Sequence, residues 1–209
     1  MYLIKYLADP KMAQIHPYKF TTAILSFAQQ RGLQLIKGKC TSLHTTSVRY
    51  TTETGPAELP ADVIVIAAGP WTPSLVKDIE IKASRAHSVV IKPKALLPAQ
   101  AVFFSYETQE GPRTQPEVYS RPSEVYVSGQ MDSRRPLPDL AKDVMASEKE
   151  ISSLESAAKE LSTKLADGVI ETRQACYLPL YDRGFPAVGW HTRPRPKKAG
   201  IFGSGKMLG

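Results

Sequence analysis

Cysteine is scarce in this sequence. Cys40 and Cys176 lie far apart, with no CxxC pair and no histidine cluster nearby, which argues against both a zinc site and a disulfide framework. Long apolar runs are also lacking. No stretch approaches the roughly 20 residues of a membrane helix, and the opening segment Met1–Pro10 is too short and too early broken for a signal peptide. The chain therefore reads as free of membrane spans, soluble and cytoplasmic. Acidic residues are absent from 193–209, where Arg193, Arg195, Lys197, Lys198 and Lys206 account for five of the formal +7 charges and leave +2 for the rest. Basicity confined to one tail, without interleaved aromatics, argues against a nucleic-acid platform.

At 42% hydrophobic and 22% charged residues, the composition is that of a folded protein. Phe20, Ala23, Ile24, Phe27 and Ala28 recur at helical spacing between Pro17 and Gly32, predicting a helix over about 17–31. Alternating β-branched residues predict short strands at Leu33–Ile36, Cys40–Thr45 and Val48–Thr52, closed by a Gly55-Pro56 turn. Asp62–Gly69 is a continuous apolar run, which predicts a central strand covered on both faces. Arg85–Lys92, Ala101–Ser105, Glu117–Tyr119 and Glu124–Gly129 predict antiparallel strands between proline-bearing loops. Ser147 with Glu150 is a capping-box pattern. The apolar residues from Ile151 to Leu165 then predict one helix over about 147–166, stopped by Gly168. Strands at Val169–Leu178, Ala187–Trp190 and Gly200–Phe202 complete the expectation, with 193–198 as an exposed loop.

The carboxyl end of a buried strand is where open α/β sheets bind ligands, which singles out Ala68-Gly69-Pro70-Trp71. Gly200–Lys206 imitates a phosphate-binding loop, but Met207 stands where a magnesium-ligating Ser or Thr belongs.

Five segments in order resemble the flavoprotein superfamily of D-amino-acid oxidase, glycine oxidase and sarcosine oxidase. They are His16-Pro17-Tyr18, Lys39–Leu43, Asp62–Trp71, Pro116–Pro122 and Gln174–Pro179. The wording Arg85–Ser88 and Ala175–Pro179 is most similar to uncharacterised cytosolic members common in fungi. The resemblance implies an α/β (α+β) protein: a partial FAD-binding Rossmann-like domain over 1–83, an antiparallel β-sheet substrate domain over 84–185, and a return to the FAD domain over 186–209. It implies FAD as cofactor and oxidation of the C–N bond of a secondary amine or amino-acid-like small molecule, with hydride passing to flavin and oxygen as acceptor.

Cofactor contacts carried over by the resemblance are Cys40, Ala68, Gly69, Trp71, Cys176 and Gly205. Cys176 has two readings, covalent flavin attachment or a buried small apolar residue. His87 lines the substrate pocket or is structural; Arg121 neutralises an anionic substrate or flavin oxygen, or is a surface arginine. Three departures stand out. The family's Gly-x-Gly-x-x-Gly does not occur, so the dinucleotide-gripping βαβ unit is expected to be missing. Leu178 holds the place of a carboxylate-binding arginine, and Gly205-Lys206 replaces a closing Gly-His pair. A non-catalytic remnant or interaction fragment of such an oxidoreductase is the competing expectation.

Overall fold

A computed structural model describes residues 2–7, 14–107, 113–183, 186–191 and 199–202. In chain order the elements are β1 (Tyr2–Leu7), α1 (Pro17–Gln29), β2 (Lys39–Leu43), β3 (Ser47–Thr52), β4 (Gly55–Pro60), β5 (Ile64–Ile66), a 3-10 turn at Gly69–Trp71, and α2 (Thr72–Leu75). Then follow β6 (Ile81–Lys92), β7 (Ala101–Ser105), β8 (Glu117–Ser120), β9 (Val125–Asp132), a 3-10 turn at Ala141–Asp143, α3 (Glu148–Leu161), α4 (Thr163–Ala166), β10 (Val169–Tyr181), β11 (Val188–His191) and β12 (Ala199–Phe202). The chain forms two compact units, one of Ala83–Leu178 with Met1–Met12, the other of Ala13–Lys82 with Pro179–Gly209.

The first unit is a six-stranded sheet in the order β1-β7-β8-β9-β6-β10. Its register aligns Val89 with Val127, Val127 with Val118, and Val118 with Val102, so one face carries a row of valines. Ile151, Leu154, Ala157 and Ala158 of α3 bury against that face, because their spacing of three and four puts them on one stripe of the helix. Between Arg85 and His87 the register slips, and there Gly129 and Gln130 both take positive φ, of 148° and 51°. β1 was not foreseen from the sequence; it pairs antiparallel with β7.

The predicted long helix over 147–166 is two helices. Ser162 leaves α3 in an extended conformation (φ −155°, ψ 132°), and its hydroxyl accepts the Lys164 amide to start α4. Leu165, on that new turn, is buried in the sheet core. At the other end Ser147 is the N-cap residue, but its hydroxyl bonds the Glu150 carboxylate, so the two side chains satisfy each other and neither backbone-amide bond of the expected capping box forms.

The second unit holds α1, the antiparallel sheet β2-β3-β4, and the sheet β11-β12-β5, in which β12 and β5 run parallel. Leu33–Ile36 is not a strand. The meander instead takes its third strand from Gly55–Pro60, which the prolines at 56 and 60 disguised; β4 lies at the sheet edge, where a missing N–H is tolerated. The expected central strand over 62–69 is regular only at Ile64–Ile66, and its two faces are unlike. Ile66 packs with Val76, Leu43 and Leu75, while Val63 and Val65 are 62% and 61% exposed, because no described element of this unit covers that face. α1 keeps its apolar stripe but buries none of its residues. The loop expected at 193–198 lies outside the described residues.

Candidate functional site

Two surfaces, one in each unit, carry the chemistry-bearing residues. In the second unit the chain leaves β5 through Ala67-Ala68 into the Gly69–Trp71 turn, closed by the Trp71 amide donating to the Ala68 carbonyl at 3.0 Å. The Ser74 hydroxyl holds the Trp71 carbonyl at 2.7 Å. Gly69 has φ +52°, which an L side chain adopts only with strain, and a Cβ built there would meet nothing within 4 Å among the described residues. Beside it, Thr72 is fully buried and its hydroxyl has no hydrogen-bond partner among the described residues. A backbone turn with open space above the glycine and an unpartnered buried hydroxyl next to it fits a cofactor lying against the carboxyl end of β5.

Cys40 is half-buried on β2, opposite Tyr50, at a register shift that separates it from Ser42. Burial raises the pKa of its thiol, with a weak backbone contact at Ser42 working the other way. Leu43, three residues on, packs with Ile66, Val76 and Leu75, so the strand of Cys40 and the turn of Ala68, Gly69 and Trp71 share one small core. Gly205 lies outside the described residues.

The first unit presents the sheet face turned away from α3. The parity that sends Val118, Val125 and Val127 into the core sends Glu117, Tyr119, Tyr126 and Ser128 to this side, with Phe103 opposite Glu117 across β7 and β8. The Tyr119 ring meets Phe103 edge-on at 5.9 Å and lies 6.4 Å from Tyr126. The Tyr119 hydroxyl donates to a Glu117 carboxylate oxygen at 2.8 Å, and burial, reinforced by that carboxylate, pushes its pKa well above the usual tyrosine range. None of these residues was among the candidates drawn from the sequence. Their signal was the Val/Tyr alternation inside Glu117–Ser120 and Val125–Ser128.

The three remaining candidates of this unit do not converge. His87 is 0% exposed, on the strand face that Val89 and Ile91 also turn toward α3, and its Nδ1 contacts the Gln130 carbonyl at 2.8 Å. Arg121 pairs with Glu124 at 2.6 Å and lies 4.8 Å over the Tyr126 ring. Cys176 is exposed on β10, while its neighbour Tyr177 turns inward and donates to the Pro136 carbonyl at 2.8 Å. Desolvation by the surrounding chain still raises the Cys176 pKa. Among the described residues no group of three or more His, Cys, Asp or Glu is gathered to hold a metal, and no helix is long and apolar enough to cross a membrane.

The fold is shared with solved oxidases. The structure is similar to glycine oxidase from Geobacillus kaustophilus, with a TM-score of 0.66 at 14% identity over 88% of this chain and 47% of that one. It is equally similar to iminodiacetate oxidase from Chelativorans sp. BNC1, with a TM-score of 0.65 at 15% identity over 88% and 48%. In sequence the chain is 33% identical over 196 residues to a Schizosaccharomyces pombe protein provisionally named an oxidoreductase, an alignment covering 84% of this chain and 51% of the relative. The chain thus spans about half the length of the proteins it matches. A family model described as DAO, FAD dependent oxidoreductase, matches residues 4–204, and the chain belongs to that family.

Proposed function

We propose that this chain is the substrate-binding and partial cofactor-binding portion of a cytoplasmic FAD-dependent oxidoreductase that oxidises the C–N bond of a secondary amine or amino-acid-like small molecule, with oxygen as the final acceptor. The observation that carries the reading is the Gly69 turn, open above the glycine and flanked by the unpartnered Thr72 hydroxyl. Ala68, Gly69 and Trp71 would hold the cofactor through backbone atoms, and Cys40 would border it from β2. FAD, when bound, supplies the hydride-accepting ring. The chain's own share is to orient the amine on the Phe103, Tyr119 and Tyr126 face and to keep water from it. Cys176, exposed on β10, is the candidate for covalent attachment, and His87, sealed beneath α3, supports the sheet without touching substrate.

A second reading, an interaction fragment without catalysis of its own, is favoured by α1: Phe20, Ile24 and Phe27 are each more than half exposed, as are Val63 and Val65. One experiment separates the two. The purified chain is mixed with FAD, freed of excess, and its visible spectrum recorded before and after denaturation. A retained flavin band supports the oxidoreductase reading, and one that survives denaturation and disappears in Cys176→Ala supports attachment there. A colourless protein that self-associates overturns catalysis by this chain alone.

A further inference from the structure

Among the residues whose side chains are described, the Glu117 carboxylate stands on an aromatic face without a basic partner. Its Oε2 accepts from the Tyr119 hydroxyl at 2.8 Å, and among the described residues nothing is bonded to Oε1. The two guanidiniums at the neighbouring strand ends are engaged elsewhere. Arg121 is paired with Glu124 at 2.6 Å, and Arg113 donates to the Ser105 hydroxyl at 2.7 Å and lies 3.4 Å from Glu107. A half-buried carboxylate left with one neutral donor is short of the charge that would offset its lost hydration. Tyr119 is held as that donor, since its hydroxyl stays protonated far above neutral pH.

The walls around this carboxylate favour the missing charge. Phe103 stands opposite Glu117 and Tyr119 two residues along the same strand, so both rings share its face. Aromatic faces attract cations within about 6 Å of the ring centre, and this surface already does so once, with the Arg121 guanidinium 4.8 Å over Tyr126.

We propose that this face is an ammonium-binding subsite, with Glu117 as the counter-ion and the rings of Phe103 and Tyr119 as its walls, selecting small amines with an apolar substituent whether or not they carry a carboxylate. The inference rests on the amine-oxidising reading and names its substrate class. A carboxylate on the ligand gains nothing at Glu117, where it meets like charge. The amine's own charge carries the recognition.

The test is calorimetric titration of the purified chain with N-methylbenzylammonium, its neutral analogue benzyl methyl ether, and N-benzylglycine. The ammonium should bind about tenfold or more tightly than the ether, the strength of a charge-assisted contact, and N-benzylglycine no better than the ammonium. Glu117→Gln should erase the preference over the ether while leaving ether binding unchanged. Tyr119→Phe, which frees Glu117 to reorient, should reduce the preference without abolishing it. Equal binding of ammonium and ether by the unaltered chain, no binding of either, or an unchanged preference in Glu117→Gln would each overturn the proposal. FAD retention measured on the same preparations separates the two ideas. Flavin retained without amine preference removes this subsite alone, whereas amine preference without flavin removes the oxidoreductase reading for this chain.

Discussion

Arg85 and Asp132 face each other across β6 and β9, joined at 2.7 Å with each side chain 5% exposed. The pair is well supplied with partners: Arg85 also donates to the Met145 carbonyl at 2.8 Å, and Asp132 accepts the Arg134 amide at 2.9 Å and its guanidinium at 3.2 Å. Removing one member strands the other charge in the interior. Asp132→Ala should lower stability by about 3–5 kcal/mol, read as a shifted urea midpoint. An unchanged midpoint would show that the pair is open to water.

The same carboxylate sets an acid limit. The Arg134 amide and then the Arg85 guanidinium hold Asp132 down from the ordinary 3.8 to about 2. A carboxyl more acidic in the folded than in the unfolded chain contributes its full stabilisation above the unfolded value and loses it as pH falls through the folded one. Urea titrations from pH 6 down to pH 2 should therefore show stability falling most steeply below about pH 4, with a shallower fall in Asp132→Ala.

Gly129 sits at the bulge with φ +148°, and a Cβ there would meet the Pro116 Cα at 3.2 Å, a backbone atom that cannot swing aside. Gly129→Ala should cost about 1–3 kcal/mol, read from urea unfolding. A loss below a few tenths would mean that the bulge relaxes freely.

Both thiols have raised pKa values, so at pH 7 each holds less reactive thiolate than a free cysteine. Iodoacetamide labelling followed by peptide mass spectrometry should find Cys40 and Cys176 modified more slowly than an unstructured cysteine peptide, with rates climbing through the alkaline range. Rapid labelling of Cys176 at pH 7 would reveal a cationic neighbour absent from this structure.

At Gly69 the prediction separates fold from ligand. Because nothing among the described residues lies within 4 Å of an added Cβ, Gly69→Ala should cost only the strain of its φ, about 1–2 kcal/mol, yet under the proposed cofactor site it should lower FAD retention about tenfold or more. Equal flavin retention by both proteins would move the cofactor away from this turn.

The amino-acid sequence by itself determined the features that rest on local pattern. The stripe Phe20, Ile24, Phe27 made α1, and the stripe Ile151, Leu154, Ala158 made α3, since a 3.6-residue period leaves an apolar face in any context. Strict alternation made β8 and β9, and the Ala68–Trp71 turn was marked by its glycine and proline. Family membership was legible for the same reason, because it resides in short segments in a fixed order.

Tertiary structure decided which apolar faces are covered and which charges are matched. Val63 and Val65 read as buried but stand exposed, since burial depends on a neighbour arriving and not on the residue's own preference. Parity could split β6 into two faces but could not say which would receive α3, and that choice sealed His87 inside and left Tyr119 and Tyr126 on the face turned away from it. The break at Ser162 turned Leu165 into the core, and the edge position of β4 let two prolines join a sheet. Arg121 was legible as a cation but not as one bound to Glu124 and Tyr126, and Glu117 was legible as an acid but not as one without a basic partner among the described side chains: electrostatic pairing is set by distances that only the folded chain creates.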